Sequence, residues 1–128
     1  MNWQIVISFV VGAVIYLAIK KLSHVGPQKV RECLKAGAKV IDVRSEEEFK
    51  QERVPGAVNI PLGRLQQEIS RYAPDKEQPV LLHCLSGGRS AIGRAMLRRM
   101  GYRHCFNLGS LGRAQKLAGG RDGTSNAQ

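Results

Sequence analysis

The stretch Pro79-Val80-Leu81-Leu82-His83-Cys84-Leu85-Ser86-Gly87-Gly88-Arg89-Ser90 runs an apolar segment straight into a glycine-rich turn. Residues 79–83 read as a short strand buried on both faces. Residues 90–100 read as a helix with Ile92, Met96 and Met100 on one side, stopped by Gly101. Cys84 therefore ends a strand, and two glycines separate it from a helix start. A thiol is a useful nucleophile only as thiolate, and its pKa falls near cations and at helix N-termini. The glycines let backbone N–H groups turn inward around one centre. The helix start adds partial positive charge and Arg89 a full one. Cys84 is the candidate nucleophile, and Leu85, Ser86, Gly87, Gly88, Arg89 and Ser90 form its candidate anion-binding loop.

Working outward from this loop, short apolar strands alternate with helices. Pro27 opens a helix to about residue 35, and Gly37 ends it. Residues 39–43 make a buried strand. Ser45 with Glu48 three residues later is a capping-box pattern, opening a helix to about residue 51. A turn at 54–56 leads to a short strand over 57–60, and apolar residues at 62, 65, 69 and 72 mark an amphipathic helix. A last strand covers 104–108 and a final helix 111–117. This alternation predicts an α/β fold, a small parallel sheet with helices on both faces. Ligands of such sheets bind beyond the carboxyl ends of the strands, where Cys84 lies.

The net charge is +10, and it is unevenly placed. Nine of the ten acidic residues lie between Glu32 and Glu77. From residue 78 to 120 there is none, while Arg89, Arg94, Arg98, Arg99, Arg103, Arg113 and Lys116 accumulate. Such a field favours small anionic ligands or an anionic surface. With three Phe and three Tyr and no reader motif, nucleic acid is not an expected partner. Three cysteines, Cys33, Cys84 and Cys105, form neither a disulfide framework nor a zinc signature. The repeated pairs His83-Cys84 and His104-Cys105 sit at strand ends, where neighbouring side chains point to opposite faces, so no metal site is expected.

Residues 5–19 (IVISFVVGAVIYLAI) carry no charge, and Trp3 and Lys20-Lys21 flank them. Residues 2–19 count 18, near the lower limit for a span. No basic stretch precedes the apolar run, which argues against a cleaved signal peptide. The expectation is a single-pass transmembrane anchor over residues 1–21, in contact with the membrane through residues 3–21. Lys20, Lys21, Lys29 and Arg31 follow it and place the remainder on the cytoplasmic side. A linker at 22–26, a catalytic domain at 27–118 and a disordered polar tail at 119–128 complete the expected organisation.

The loop from Cys84 to Ser90 resembles the active-site loop of the rhodanese-type sulfurtransferases. Val40-Ile41-Asp42-Val43-Arg44 with Glu48-Phe49 is similar to that family's first signature, and residues 54–61 (VPGAVNIP) to its second. Gly101-Tyr102 and Phe106-Asn107-Leu108 resemble its closing strand, so the likeness covers roughly residues 26–117. There are two departures: Glu52-Arg53 stands where the family often has Gly-His, and Gly109-Ser110-Leu111-Gly112 is followed by no Trp.

The resemblance implies a rhodanese-like fold and a thiosulfate sulfurtransferase. In its cycle a persulfide forms on Cys84 and passes to cyanide, a thiol or a protein acceptor, with no metal or organic cofactor. Asp42 and Arg44 would support the site from a neighbouring strand, or form a structural pair. Two alternatives share the framework, a non-enzymatic binding module and a dedicated persulfide carrier. Cysteine phosphatases and arsenate reductases use the same nest logic, but their loops hold one residue more than the four between Cys84 and Arg89, a width suited to phosphate.

Overall fold

The computed structural model describes residues 2–119, apart from the side chains of residues 20–23. The expected disordered tail lies, from residue 120 onward, outside them. Four strands, β1 (Lys39–Asp42), β2 (Val58–Asn59), β3 (Val80–His83) and β4 (Cys105–Gly109), form one parallel sheet in the order β2-β1-β3-β4. Helix α2 (Pro27–Lys35) precedes the sheet, α3 (Glu46–Gln51), α4 (Leu65–Tyr72) and α5 (Gly88–Arg99) connect its strands, and α6 (Leu111–Ala118) follows β4. This is the expected α/β architecture.

Alternation along β3 divides the interior. Val80, Leu82 and Cys84 join a core with Leu65, Ile69 and Leu97 from α4 and α5. Leu81 joins the core on the other side, with Val30 and Cys33 of α2 and Ala114 and Ala118 of α6. All four residues of β3 are buried, as expected of a strand covered on both faces.

Two element boundaries differ from expectation. Residues 62–64 form a 3-10 turn before α4 rather than part of it. Helix α5 begins at Gly88, two residues earlier than Ser90, because Gly87 at φ 103° turns the chain directly into it. The loop's second glycine, Arg89 and Ser90 thus all sit in the first turn of α5.

Helix α1 (Trp3–Ser23) forms over the apolar N-terminal segment, and its described residues belong to neither core. Among the described residues no helix is long and apolar enough to cross a membrane. This corrects the expectation of a transmembrane anchor over residues 1–21. The continuously apolar run within it, residues 5–19, holds 15 residues, fewer than the roughly 20 that a span needs. The membrane contact expected through residues 3–21 thus has no spanning helix behind it among the described residues.

A buried ion pair fixes the end of β1. Arg44 binds Asp42 in bidentate fashion, Nε to Oδ1 at 3.0 Å and Nη2 to Oδ2 at 2.7 Å, and both side chains are almost wholly buried. Arg44 Nη2 also donates to the Glu52 carbonyl at 2.6 Å, tying the C-terminus of α3 to the sheet. Removing one partner of such a pair strands a buried charge. Asp42→Ala is therefore expected to lower the unfolding free energy by about 3–5 kcal/mol. The double change Asp42→Leu with Arg44→Met should recover most of that loss, as checked by denaturant titration of all three proteins.

Candidate active site

Cys84 follows β3 directly, with its N–H donating to the Gly109 carbonyl at 3.1 Å and its side chain 1 % exposed. Its Sγ accepts the Gly87 N–H at 2.9 Å, and the Ser90 hydroxyl lies 3.5 Å away. Burial pushes the thiol's pKa up. The Ser90 hydroxyl and the N–H groups of Ser90, Gly87 and Ser86 together outweigh it, so the net shift is downward. Cys33 and Cys105 are raised by burial, Cys105 to about 12. Of the three cysteines, Cys84 alone is prepared as a thiolate.

The loop is held from behind. Leu111 N–H donates to the Leu85 carbonyl at 3.1 Å, and Ser86 forms an antiparallel bridge with Ser110. Asn107, fully buried on β4, is the hub. Its Nδ2 donates to the Gly87 carbonyl at 3.1 Å, and its Oδ1 accepts from the Ser90 hydroxyl at 2.7 Å and from Gly109 N–H at 3.0 Å. One amide thus joins the turn, the first turn of α5 and the end of β4. Sequence reading placed Asn107 in the closing strand but gave it no role. Its only signal was a polar residue inside an apolar strand.

Arg89 was expected to bring its charge to the sulfur. The structure pairs its guanidinium with Glu48, Nη1 to Oε1 at 2.7 Å and Nη2 to Oε2 at 3.0 Å, and the nearby Cys84 sulfur also favours its charged form. Glu48 Oε1 also accepts from the Ser45 N–H and hydroxyl, the capping box read from the sequence. The hydrogen bond from Arg89 is the main cause that holds the Glu48 carboxyl at about 2. Asp42 and Arg44 bond each other and the frame of α3 rather than Sγ. Their support reaches the loop through α3, which carries Glu48. Leu85 and Gly88 contribute backbone, and Leu85 leaves its side chain more than half exposed.

His83, next to Cys84, is no base for it. Its side chain turns to the opposite face, with Nε2 3.7 Å from Asp42 Oδ2, and burial holds its pKa down. The thiolate is made by the donors around it. Such a site can hold a sulfur anion and bind a further small anion against the loop N–H groups.

The chain matches the family described as rhodanese-like domain over residues 26–111. It belongs to that family. Among its relatives is the thiosulfate sulfurtransferase PspE of Escherichia coli, 42% identical over 71 residues, which are 56% of this chain and 68% of that protein. A solved rhodanese with anions from E. coli superposes with a TM-score of 0.58 at 39% identity, covering 59% of this chain and 89% of that one. The human single-domain sulfurtransferase TSTD1 gives 0.57 at 28% identity, covering 70% and 89%. These relatives support sulfurtransfer as the activity at the level of the family. The rhodanese-like match begins at residue 26, downstream of α1.

Two expectations follow from the geometry. Losing a hydrogen bond to a charged group amounts to about 1.5–3 kcal/mol. Ser90→Ala should therefore slow Cys84 alkylation by iodoacetamide at neutral pH about tenfold or more, and a rate unchanged from the parent would remove Ser90 from the thiolate's support. Glu48 ionises at about 2 in the fold against an ordinary 4.5. Its contribution to stability is thus complete above pH 4.5 and lost as pH falls through about 2. Glu48→Gln should cost about 1 kcal/mol at neutral pH, allowing for partial exposure of the pair. Denaturant titrations across pH should show that difference from the parent shrinking as acid approaches pH 2.

Proposed function

We propose that the protein is a thiosulfate sulfurtransferase working through a persulfide on Cys84. The observation that carries this reading is the Sγ of Cys84 at the end of β3, receiving the Gly87 N–H at 2.9 Å within the loop closed by Arg89. The thiolate attacks the outer sulfur of thiosulfate. A bond forms between Sγ and that sulfur, the sulfur–sulfur bond of thiosulfate breaks, and its electron pair leaves with sulfite. The enzyme now carries Cys84–S–S⁻. Cyanide or a thiolate then attacks the outer sulfur, takes it as thiocyanate or a new persulfide, and returns the Cys84 thiolate.

Every group required is on the chain. The N–H groups of Ser86, Gly87 and Ser90 that favour the thiolate also stabilise the persulfide anion beyond it. The net basic segment from residue 78 to 120 draws anionic donors toward the loop. Thiosulfate as donor and a small thiophile or a protein as acceptor are the substrate classes that this site suits.

Mass spectrometry of the full chain after incubation with thiosulfate should show one added sulfur atom on Cys84, discharged by cyanide and missing from Cys84→Ser. That variant should lose thiosulfate:cyanide activity on the order of a thousandfold or more. Full activity in Cys84→Ser would sink the proposal.

A further inference from the structure

Residues 24 and 25 lie upstream of the family match, yet they are built into the back of the loop. His24 pairs with Asn107 as a parallel bridge, and Val25 N–H donates to the Asn107 carbonyl at 2.9 Å. Arg113 of α6 locks this strap in place. Its Nη1 donates to the Leu108 carbonyl at 2.6 Å and its Nη2 to the Val25 carbonyl. The strap thus covers the outer edge of β4 at the level of the loop.

The His24 ring occupies a slot that two glycines leave open. A methyl group built on Gly87 would lie 2.6 Å from His24 Nε2, and one on Gly109 would lie 3.2 Å from Cε1 and Nδ1. Both glycines have φ 103°, a region in which side chains are rare, so the backbone needs glycine there and the ring fills the space. Asn107 sits alongside, holding the Gly87 carbonyl and the Gly109 N–H. Gly87 is therefore fixed on two sides, by the Asn107 amide on its carbonyl and by the His24 ring against its α-carbon. The N–H of this same residue is the donor 2.9 Å from Cys84 Sγ. A glycine relieved of one of those walls regains the widest conformational range of any residue, and its N–H loses aim.

We propose that His24 is a positioning residue of the Cys84 loop, a wedge that keeps the Gly87 N–H directed at the sulfur. The segment ahead of the rhodanese-like domain is thereby part of the active site. This rests on Cys84 as the nucleophile. The ring acts on the sulfur through Gly87, against which it stands. Among the described residues, the charged and titratable groups packed around the assembly are Arg113 from α6, Arg89 with Glu48 across the loop, and His83 with Asp42 behind it. None of them hydrogen-bonds to Sγ.

The test is the pH profile of Cys84 alkylation by iodoacetamide, measured on the full chain in a mild detergent for the parent, His24→Ala and His24→Phe. His24→Ala should move the midpoint upward and slow the reaction at neutral pH several-fold, about tenfold for each unit of displacement. The plateau rate at high pH should stay at the parental value, a split that general destabilisation does not produce. His24→Phe refills the slot and should restore the parental profile. His24→Asn, with a smaller planar group, should be displaced part-way and serves where His24→Ala does not fold. A His24→Ala or His24→Asn profile superimposed on the parent's overturns the proposal, as does a His24→Phe profile displaced as far as that of His24→Ala. Alkylation reads the thiolate independently of sulfur transfer. A profile that moves as described in a chain that thiosulfate leaves unmodified upholds the wedge and sinks the sulfurtransferase reading.

Discussion

The Cys84 sulfur is almost fully buried, yet the donors around it favour its charged form, and much of the structure near it bears on that conflict. Burial alone drives a thiol toward its neutral form, as it does at Cys33 and Cys105. At Cys84 the opposing contribution comes from N–H and O–H donors gathered over three consecutive features of the chain: a strand end, a left-handed glycine, and the first turn of α5. Donors of this kind can be aimed only if the backbone is rigid. Asn107, the bridge between Ser86 and Ser110, and the strap at residues 24 and 25 supply that rigidity from behind.

The loop's one full positive charge is shared between Glu48, its main partner, and the field at Cys84. Arg89 holds Glu48 in a bidentate pair, so α3 is pinned to α5 across the front of the sheet. The pairing leaves the sulfur in a field of partial charges from N–H groups. Their strength depends on direction, unlike that of a free guanidinium, and falls quickly when the geometry is disturbed. Asp42 and Arg44 enter at one remove. They set the end of β1 and the end of α3, and α3 presents Glu48 to Arg89. Four charged residues, Asp42, Arg44, Glu48 and Arg89, thus link the sheet's interior to the loop without a hydrogen bond from any of them to Sγ.

Much of this was legible in the sequence because it is written in local signals. The all-apolar run at 80–82 gave β3, Ser45 and Glu48 gave the cap of α3, and the two glycines after Cys84 gave the turn into α5. What escaped was set by tertiary geometry. Glu48 read as a cap residue, and nothing in its spacing shows that Arg89, 41 residues later, will reach it. Asn107 shows only as a polar residue in a strand, and His24 only as part of a linker. The N-terminal apolar segment, expected as an anchor over residues 1–21, does form a helix, Trp3–Ser23, but no helix among the described residues is long and apolar enough to cross a membrane.

The placement of the other two thiols constrains where a sulfur carried by Cys84 can go. Cys105 pairs in register with Val80, four residues back along β3 from Cys84. That is about 13 Å at about 3.3 Å per residue, well past the roughly 7 Å limit between α-carbons that can share a disulfide. Cys33 belongs to the core on the opposite side of the sheet. Both thiols are buried and held neutral by that burial, so neither offers a thiolate to a persulfide. A sulfane sulfur on Cys84 consequently has no acceptor within the chain's own cysteines. On the mechanism proposed above, its release depends on a thiophile arriving from outside, at a loop held by Asn107 of β4, by the first turn of α5 and by the strap at residues 24 and 25.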